Sequence, residues 1–375
     1  MKIAVVKETR EQEKRVALTP AIVKSLIKAG FVCSIEKNAG LDAGFTDIAY
    51  ETAGAIIEEN KVSLLKNADI FLKVNAPSIE EIQHLKPGST TISFLFAYTI
   101  PAIVDALLAA SVTAFSMDAV PRISRAQKMD ALSSQSNLAG YKAVIVAANA
   151  LGKIFPLMMT AAGTITPARI LIFGAGVAGL QAVATAKRLG AVVEVSDVRP
   201  ETKEQVESLG GRFLQVQGEG VKTEGGYAKE ISADYLQKQK ELVSKHVADA
   251  DIIITTALVM GKKAPVLVTE DMVKSMKQGS VILDMAVESG GNCELSKYNQ
   301  TIIAHGVTII GEANLPSLVA ANASELYAQN ISTLLVHLAD KNGLKDQPEE
   351  EITKGCLITY KGKLVHDFTR NILNR

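Results

Sequence analysis

The feature that most constrains the fold is an alternation of short β-branched runs with amphipathic helical patterns over nearly the whole chain. This alternation is typical of parallel βα units, in which a helix returns the chain to the start of the next strand. Because the candidate strands form two successive series, the sequence predicts an α/β fold with two doubly wound, Rossmann-like domains that have parallel sheets and are joined by long helices. The candidate strands are Lys2–Val6, Val32–Glu36, Ile70–Val74, Thr90–Leu95 and Thr113–Met117, followed by Arg169–Phe173, Ala191–Ser196, Arg212–Val216, Asp251–Thr255, Ser280–Asp284 and Thr308–Ile310.

The expected domain boundaries follow from helical patterns beside the two series. Pro121–Gly152 begins with polar, irregular sequence and continues as an Ala-rich helix, which suits a connection between domains. Pro316–Leu338 is helical and apolar on one face, so it can pack back on the first domain. We therefore expect residues 1–135 with 315–375 to form an N-terminal domain and residues 136–314 to form a nucleotide-binding domain. Leu357–Val365 predicts a small hairpin.

The most apolar stretch runs from Leu138 to Ile165. Lys142 and Lys153 interrupt it and leave uncharged segments at 143–152 and 154–168, both shorter than the ~18–20 residues of a membrane helix. The favoured interpretation is a buried helix. The first apolar run of the chain has the length of a strand and does not suit a targeting signal. We therefore expect a soluble chain that does not insert into a membrane.

Charge and cysteine content exclude several classes of protein. The 375 residues include 40 Lys plus Arg and 40 Asp plus Glu, so the net charge is zero. A protein that coats nucleic acid, or that binds an anionic membrane by charge alone, needs a basic excess, so neither partner is expected. Cys33, Cys293 and Cys356 are far apart, which predicts neither a disulfide framework nor a thiolate metal site and favours a reducing, cytoplasmic compartment.

A GxGxxG pattern at residues 174–179 is the clearest chemical signal. It follows a predicted strand and opens a predicted helix, and Asp197 ends the next strand, as the dinucleotide-binding fingerprint requires. Gly174 is expected to make the tight turn, Gly176 to admit a pyrophosphate close to the backbone, and Gly179 to allow close packing of helix on strand. A glycine-rich turn that serves packing alone is the alternative. The candidate cofactor-binding residues are Gly174, Ala175, Gly176, Val177, Gly179, Asp197, Val198, Arg199 and Tyr227.

Two details of this candidate site leave alternatives open. The Asp197 carboxylate favours NAD(H) over NADP(H), because it accepts ribose hydroxyl hydrogen bonds and repels a 2′-phosphate, although Arg199 lies two residues on and weakens that preference. The glycine-rich loop over 218–226 has no hydrophobic period and is followed by Tyr227. It is interpreted either as a loop that closes over the nucleotide with Tyr227 as its anchor or as a solvated surface loop.

Three segments show a resemblance to known proteins. Lys7–Pro20 is dense in charge, which by itself would indicate a solvated face. Together with Phe71–Pro77 and Leu283–Gly291, however, it closely resembles the signature shared by alanine dehydrogenases and the NAD(H)-binding component of proton-translocating nicotinamide nucleotide transhydrogenase. The matching segments are spread over essentially the entire chain.

The residues distinguish between these two related groups. In the alanine dehydrogenase pattern an Arg and a Lys hold the substrate carboxylate, and Arg15 and Lys73 stand at the matching positions. The same pattern requires a His after the fourth strand and an Asp before the Gly-Gly pair, whereas Ser93–Thr99 contains no His and Glu288 replaces the Asp. The set of residues that would move a proton during amino-acid oxidation is therefore incomplete. The five histidines, which we expect to be structural or solvated, are His84, His246, His305, His337 and His366.

A loop between the two series favours the transhydrogenase group. Its sequence over 121–141 resembles a loop-and-helix segment of the transhydrogenase NAD(H) component, although a polar linker is the alternative. The resemblance implies a catalytic set at the nicotinamide, Arg122, Gln127, Asp130 and Ser133. We expect the guanidinium and amide groups to bond the carboxamide and ribose, and Asp130 to fix Arg122 in a charge-assisted pair.

The resemblance implies that NAD(H) binds to this chain and exchanges hydride directly with NADP(H) on a partner subunit. Transfer between two nicotinamides releases no substrate proton, so the missing His is expected. Proton translocation would belong to a membrane-embedded partner, on which a homodimer of this chain would dock peripherally at the inner face of the plasma membrane. No metal is expected, since neither HxxxH, HExxH nor clustered acids occur.

Two other functions remain as alternatives. One is an NAD-dependent amino-acid dehydrogenase of the alanine or saccharopine type, which the presence of Arg15 and Lys73 favours. The other is a non-catalytic NAD-sensing subunit, for which the glycine fingerprint suffices. For Arg15 and Lys73 themselves we prefer an interdomain ion-pair network with Glu8 or Glu13 over a relic substrate site.

Overall fold

The computed structural model describes residues 1–215, 223–224, 227–228, 233–259 and 261–375. The strands, in chain order, are β1 (Lys2–Val5), β2 (Val32–Glu36), β3 (Ile56–Glu58), β4 (Ile70–Leu72), β5 (Thr90–Ser93), β6 (Thr113–Ser116), β7 (Met158–Thr160), β8 (Gly163–Ile165), β9 (Arg169–Phe173), β10 (Val192–Ser196), β11 (Arg212–Phe213), β12 (Thr223–Glu224), β13 (Tyr227–Ala228), β14 (Ile252–Thr255), β15 (Val281–Asp284), β16 (Gln300–Ala304), β17 (Val307–Gly311), β18 (Ala339–Asp340), β19 (Gly343–Leu344), β20 (Leu357–Tyr360) and β21 (Lys363–Leu364).

The α-helices, in chain order, are α1 (Pro20–Lys28), α2 (Asp47–Thr52), α3 (Lys61–Lys66), α4 (Ile79–His84), α5 (Pro101–Ala109), α6 (Ala131–Ala150), α7 (Val177–Arg188), α8 (Lys203–Ser208), α9 (Ala233–Asp249), α10 (Glu270–Ser275), α11 (Ala320–Leu338), α12 (Glu351–Cys356) and α13 (Asp367–Leu373). Short 3-10 segments lie at Leu41–Ala43, Ala97–Thr99, Ser124–Met129, Pro200–Thr202, Val287–Ser289 and Leu315–Val319. The chain divides into two compact units, of which the first is Met1–Gln135 with Pro316–Arg375 and the second is Ser136–Leu315.

The first unit is built on an eight-stranded sheet. Six strands run parallel in the order β3-β2-β1-β4-β5-β6. Beyond β6, β20 pairs antiparallel with β6, and β21 pairs antiparallel with β20. The order reverses direction beside β1, which is the topological switch of a doubly wound sheet. The predicted C-terminal hairpin is confirmed as β20 and β21, whose turn has Lys361 and Gly362 in the left-handed region.

The second unit repeats the same strand order in a seven-stranded sheet. Its parallel strands are ordered β11-β10-β9-β14-β15-β17, and β16 pairs antiparallel at the edge beside β17. The strands next to the switch, β9 and β14, are formed by apolar runs whose residues are almost all buried. Two Rossmann-like parallel sheets are therefore present, and the predicted fold class is confirmed.

Helix α11 packs into the core of the first unit. Tyr327, Ile331 and Leu334 are fully buried on one face of this helix and belong to the same apolar cluster as Ile3 and Val5 of β1. The apolar periodicity of the helix explains this placement, because one stripe of side chains faces the sheet. The helix thereby joins residues that are more than 300 positions apart in sequence.

The apolar stretch at 138–165 differs from its prediction. Helix α6 ends at Ala150, and β7 and β8 form an exposed antiparallel hairpin in place of a continued buried helix. Pro156 and Pro167 cannot continue a helix, and Gly163 supplies a positive φ of 140° at the hairpin turn. The prediction of a buried helix beyond Ala150 is therefore wrong, and Met159 is 75% exposed.

Candidate nucleotide-binding site

The glycine turn after β9 has contacts that only glycine permits. Gly174 has a φ of 102°, and a Cβ atom there would lie 2.4 Å from Thr256 Oγ1. A Cβ atom on Gly179 would lie 1.8 Å from the carbonyl oxygen of Gly174. Thr256 Oγ1 donates to the carbonyl oxygens of Phe173 and Gly174, at 3.1 and 3.3 Å. The end of β9 is therefore locked against both α7 and the loop after β14.

The N-terminus of α7 lies open beside this turn. Gly176 is the N-cap residue, and no side chain among the described residues caps the helix there. A Cβ atom on Gly176 would meet no heavy atom within 4 Å. An uncapped helix N-terminus presents backbone N–H groups and the positive end of the helix dipole, which together suit a phosphate. The residues present therefore fit a pyrophosphate in this position.

Helix α6 contributes a glycine to the same region that the sequence reasoning did not single out. A Cβ atom on Gly140 would lie 2.1 Å from the carbonyl oxygen of Ala178 in the first turn of α7. The two helices therefore approach each other closely at the glycine turn. An isolated glycine within a helical pattern is a signal of such close packing.

Asp197 lies at the carboxyl end of β10 and faces the glycine turn. Its Oδ2 accepts hydrogen bonds from the Ala175 N–H at 2.6 Å and from Arg199 Nη2 at 2.9 Å, and its Oδ1 accepts from Arg199 Nε at 3.0 Å. Burial by itself raises the pKa of Asp197, but the hydrogen bonds from Arg199 and Ala175 outweigh that effect and hold the pKa below its usual value. The site therefore carries an ionised carboxylate at the position expected for a ribose contact.

The other predicted cofactor residues differ in how they are placed. Val177 and Val198 are exposed beside the turn, and Ala175 is buried. The loop at 218–226 falls almost entirely outside the described residues, and so does the Tyr227 side chain. That this loop closes over a nucleotide therefore stays a prediction.

A buried carboxylate supports the loop after β14 from behind. Asp284 accepts hydrogen bonds from Thr255 Oγ1 and from the N–H groups of Asn292 and Cys293, at 2.8 to 3.0 Å. Asn292 in turn accepts from the Ala257 N–H and donates to the Ala257 carbonyl oxygen. Sequence reasoning missed Asn292 and Thr256. Thr256 directly follows β14, and a polar residue just after a parallel strand is a general signal of a site residue.

The four residues assigned to the nicotinamide occupy one segment of the first unit. Arg122 and Gln127 are exposed, and Asp130 and Ser133 are half-buried at the start of α6. Ala126 and Met129 are buried and anchor the segment from its other side. The structure therefore places these four side chains within one loop and the first turn of its helix.

The expected pair of Arg122 with Asp130 is absent. The two carboxylate oxygens of Asp130 accept from the Ser133 N–H at 2.8 Å and from Ser133 Oγ at 2.6 Å. Asp130 thus caps α6, a role that short polar side chains commonly take at a helix N-terminus. The charge-assisted pair was wrong because this local capping bond holds the carboxylate.

Arg15 lies in a buried ion pair. Its Nη2 and Nε donate to the Glu13 carboxylate at 2.7 and 2.8 Å, and its Nη1 donates to Gln135 Oε1 at 2.9 Å. Ser317 Oγ donates to Glu13 as well, at 2.5 Å. Burial works to raise the pKa of Glu13, but hydrogen bonds and charge from Arg15 reverse that effect and lower it strongly.

Lys73 is held by two carboxylates. Its Nζ lies 2.9 Å from Glu81 Oε2 and 3.6 Å from Glu8 Oε2, and its side chain is almost completely buried. Burial raises the pKa of Glu8, and Lys73 opposes some of that rise. Ion pairing of Arg15 and Lys73 with Glu13 and Glu8 is confirmed, but these pairs lie within the first unit, so the expected interdomain character was wrong.

Other chemistry is sparse in the described residues. There, no three His, Cys, Asp or Glu side chains are grouped so as to hold a metal ion. None of the described helices has the length and apolar character needed to cross a membrane. Four histidines bond a neighbouring side chain, in the pairs His246 with Glu194, His305 with Glu270, His337 with Glu350 and His366 with Thr369.

Comparison with known proteins extends these observations over the whole chain. The strand orders and the glycine turn define a two-unit, Rossmann-type protein. Models of the alanine dehydrogenase/PNT N-terminal and C-terminal domains match residues 4–139 and 143–367. The chain therefore belongs to the alanine dehydrogenase/PNT family, as the sequence resemblance indicated.

Individual relatives cover nearly all of the chain. It is 50% identical over 376 residues to an NAD(P) transhydrogenase alpha-subunit polypeptide of Rhodospirillum rubrum, covering 98% of each chain. It is 31% identical over 376 residues to an alanine dehydrogenase of Bacillus subtilis, covering 98% of this chain and 93% of the relative. The solved structure of a transhydrogenase from Sinorhizobium meliloti is similar with a TM-score of 0.90 and 44% identity, covering 97% of this chain and 100% of the other.

Proposed function

We propose that this chain is the NAD(H)-binding component of a transhydrogenase, in which hydride passes between NADH held here and NADP⁺ held on a partner subunit. The observation that carries the proposal is the open N-terminus of α7 beside the Asp197 carboxylate. The full-length similarity to a transhydrogenase alpha-subunit polypeptide supports it. The family's dehydrogenases share the fold, so the choice between the two activities rests on the remaining side chains.

The proposed cofactor contacts follow from local geometry. The backbone at Gly174, Ala175 and Gly176 and the first turn of α7 from Val177 would hold the pyrophosphate. Asp197 would accept the adenosine ribose hydroxyls, flanked by Val198 and Arg199. Gly179 keeps α7 close enough for these contacts, and Tyr227 is retained as a candidate anchor. When bound, the reduced nicotinamide supplies the hydride.

The proposed catalytic set orients a ring and does not transfer protons. We assign Arg122 and Gln127, which are exposed, to the carboxamide and ribose of the nicotinamide. Asp130 and Ser133 shape the start of α6 behind them. Because hydride exchange between two nicotinamides needs no general base, holding the reacting atoms at ~3–3.5 Å supplies most of the rate enhancement.

The proposal extends to partners and location. We infer an NADP(H)-binding subunit, a membrane-embedded subunit that couples transfer to proton translocation, and a homodimer of this chain. The protein would be cytoplasmic and docked peripherally at the inner face of the plasma membrane. Residues 1–135 with 315–375 and residues 136–314 would act as its two domains, the second of which binds NAD(H).

The state of Arg15 and Lys73 argues against an amino-acid dehydrogenase. Oxidation of a 2-amino acid needs cations that are available to the substrate carboxylate. Here Arg15 is bonded to Glu13, and Lys73 is bonded to Glu81 and Glu8, all within the protein interior. A substrate would have to displace charged partners that are already desolvated, which is costly.

The purified chain should therefore bind NADH without reducing NAD⁺ in the presence of alanine or lysine. Mixed with an NADP(H)-binding transhydrogenase subunit, it should support hydride exchange, and Arg122→Ala should lower the transfer rate more than the NADH affinity. Appreciable turnover with an amino acid would overturn the proposal. An unchanged transfer rate in Arg122→Ala would overturn the assignment of the nicotinamide residues.

A further inference from the structure

A buried asparagine in the middle of α11 has no place in the site described so far. Asn330 is 7% exposed and lies on the helix face that carries Tyr327, Ile331 and Leu334 into the core. Asparagine is unfavourable inside a helix, and a buried amide is costly unless its donors and acceptor are bonded. Its presence there therefore requires compensating hydrogen bonds.

Those hydrogen bonds reach the segment that carries the proposed nicotinamide residues, Arg122 to Ser133, and its continuation in α6. They lie on both sides of Asp130. Asn330 Nδ2 donates to the Lys128 carbonyl oxygen at 2.9 Å. Asn330 Oδ1 accepts from Ser134 Oγ at 2.7 Å. One amide thus bonds the loop two residues before Asp130 and the first turn of α6 four residues after it.

A second contact fixes the same helix turn from another direction. Gln135 Nε2 donates to the Ala323 carbonyl oxygen of α11 at 3.0 Å, and Gln135 Oε1 accepts from Arg15 at 2.9 Å. The Asn330 bonds differ from this contact because they also reach the loop backbone before Asp130. That backbone connects to Gln127, whose side chain is exposed.

We propose that Asn330 is a positioning residue for hydride transfer, because it holds the loop from Arg122 to Ser133 in one backbone conformation. This inference rests on the proposed function of that loop. Asn330 is buried beneath the loop and acts through the Lys128 carbonyl and Ser134 Oγ. A displacement of about 1 Å at a reacting centre costs on the order of a hundredfold in rate, so a fixed loop backbone matters more for transfer than for binding.

The test compares variants of the full chain mixed with an NADP(H)-binding transhydrogenase subunit. We expect Asn330→Ala and Asn330→Asp to lower the hydride-transfer rate by tenfold or more while the NADH dissociation constant changes by less than threefold. Asn330→Asp keeps an acceptor for Ser134 and replaces the donor to Lys128 by an oxygen that repels its carbonyl, so it breaks the loop contact and retains the contact with α6. Hydrogen exchange at the Ala126, Asp130 and Ser133 amides should accelerate in both variants.

Two variants on the same helix serve as controls. Asn322→Ala removes an exposed amide that bonds Glu325, and it should change nothing. Leu334→Ala removes a fully buried side chain, so it should lower the melting temperature and leave both loop exchange and the transfer rate of the folded protein unchanged.

The outcomes separate this inference from the proposed function. If the unmodified chain transfers hydride and Asn330→Ala transfers it at the same rate, or if Leu334→Ala slows transfer as much as Asn330→Ala does, the positioning role is overturned. If the unmodified chain transfers no hydride with its partner, the proposed function fails, and the exchange rates still decide whether Asn330 holds the loop. Unchanged amide hydrogen exchange in Asn330→Ala would show that Asn330 does not hold the loop.

Discussion

At the scale of single residues, the candidate nucleotide site consists of a carboxylate and three glycines whose surroundings differ. The Asp197 carboxylate is already bonded by Ala175 and Arg199, so a ribose would join an existing network. Gly174 and Gly179 have atoms where a Cβ would stand, whereas Gly176 faces open space. These differences separate glycines that the packing of the fold requires from a glycine beside open space, where we propose that a phosphate binds.

Substitution by alanine should have opposite effects at Gly176 and Gly179, impairing NADH binding at the first and stability at the second. Gly176→Ala should leave the melting temperature unchanged, because its Cβ meets no atom, but it should abolish tight NADH binding by filling the space for the pyrophosphate. Gly179→Ala should cost roughly 1–3 kcal/mol of stability through overpacking against Gly174. Thermal melting and NADH fluorescence titration of both variants check this. Tight NADH binding by Gly176→Ala would contradict the proposal that the pyrophosphate lies against Gly176.

Asp197→Asn should weaken NADH binding and reduce the preference of the site for NADH over NADPH. The substitution removes the charge that accepts ribose hydroxyls and repels a 2′-phosphate, a loss of ~1.5–3 kcal/mol, or roughly ten- to hundredfold in Kd. Arg199→Ala is the matched control, because it removes the cation and keeps the carboxylate, so it should weaken NADPH more than NADH. The measurement is titration of each variant with both nucleotides, and equal NADH affinity in Asp197→Asn and the unmodified chain would refute the assignment.

Sequence reasoning succeeded for the tight turn at Gly174 and the close packing at Gly179, whose causes are local, and it failed where two roles compete. The glycines follow from a short pattern with a strict backbone requirement. The Arg122–Asp130 pair failed because Asp130 also precedes a helix and has Ser133 three positions on, which is a capping signal readable from the sequence. Asn330 was not predicted, because its partners Lys128 and Ser134 lie far away in the chain, 202 and 196 positions before it.

At the scale of elements, the start of α6 is tied to the N-terminal segment by Arg15. The Arg15 guanidinium bridges the Glu13 carboxylate and Gln135 of α6 inside the first unit. The charged stretch Lys7–Pro20 thus includes a buried network and is not simply a solvated face. Removing Arg15 leaves the desolvated Glu13 carboxylate behind.

Arg15→Met should destabilise the protein by roughly 3–5 kcal/mol, because it removes the guanidinium that donates two side-chain hydrogen bonds to the buried Glu13 carboxylate. Lys14→Ala, an exposed neighbour, should change stability by about 0.5 kcal/mol or less. Arg15 lowers the pKa of Glu13, so this stabilisation is present above the ordinary Glu pKa of 4.5 and is lost as the pH falls below it. Urea unfolding at neutral and acid pH measures both effects, and a difference that grows on acidification would contradict them.

The strands and helices were predictable where strand and helix alternate along the chain. They were less predictable at the edges of the two sheets. The two-series prediction matched the central strands because buried parallel strands are continuous apolar runs. Edge strands β3 and β16 were missed, since none of their residues is fully buried and neither strand is a continuous apolar run. The hairpin of β7 and β8 was missed because its composition resembles a buried helix and only its prolines and Gly163 argue otherwise.

At the scale of the whole molecule, the residues proposed to bind NAD(H) and those proposed to orient the nicotinamide lie in different units. The glycine turn and Asp197 lie in the unit Ser136–Leu315, whereas Arg122 and Gln127 lie in the unit Met1–Gln135 with Pro316–Arg375. Each unit has its own strand sheet and its own buried apolar clusters. The zero net charge argues against partners held by charge alone, but it does not bear on the proposed docking through specific surface contacts.

This division predicts that a fragment of residues 130–315 binds NADH without supporting hydride exchange. It keeps the complete second sheet, the glycine turn and the Asp130 cap of α6, and it lacks Arg122 and Gln127. NADH affinity should stay within roughly tenfold of the full chain, or about 1.4 kcal/mol, and mixing with an NADP(H)-binding subunit should give no transfer. Circular dichroism verifies folding, the Asp197→Asn fragment is the control, and a folded fragment without NADH affinity would place the binding residues elsewhere.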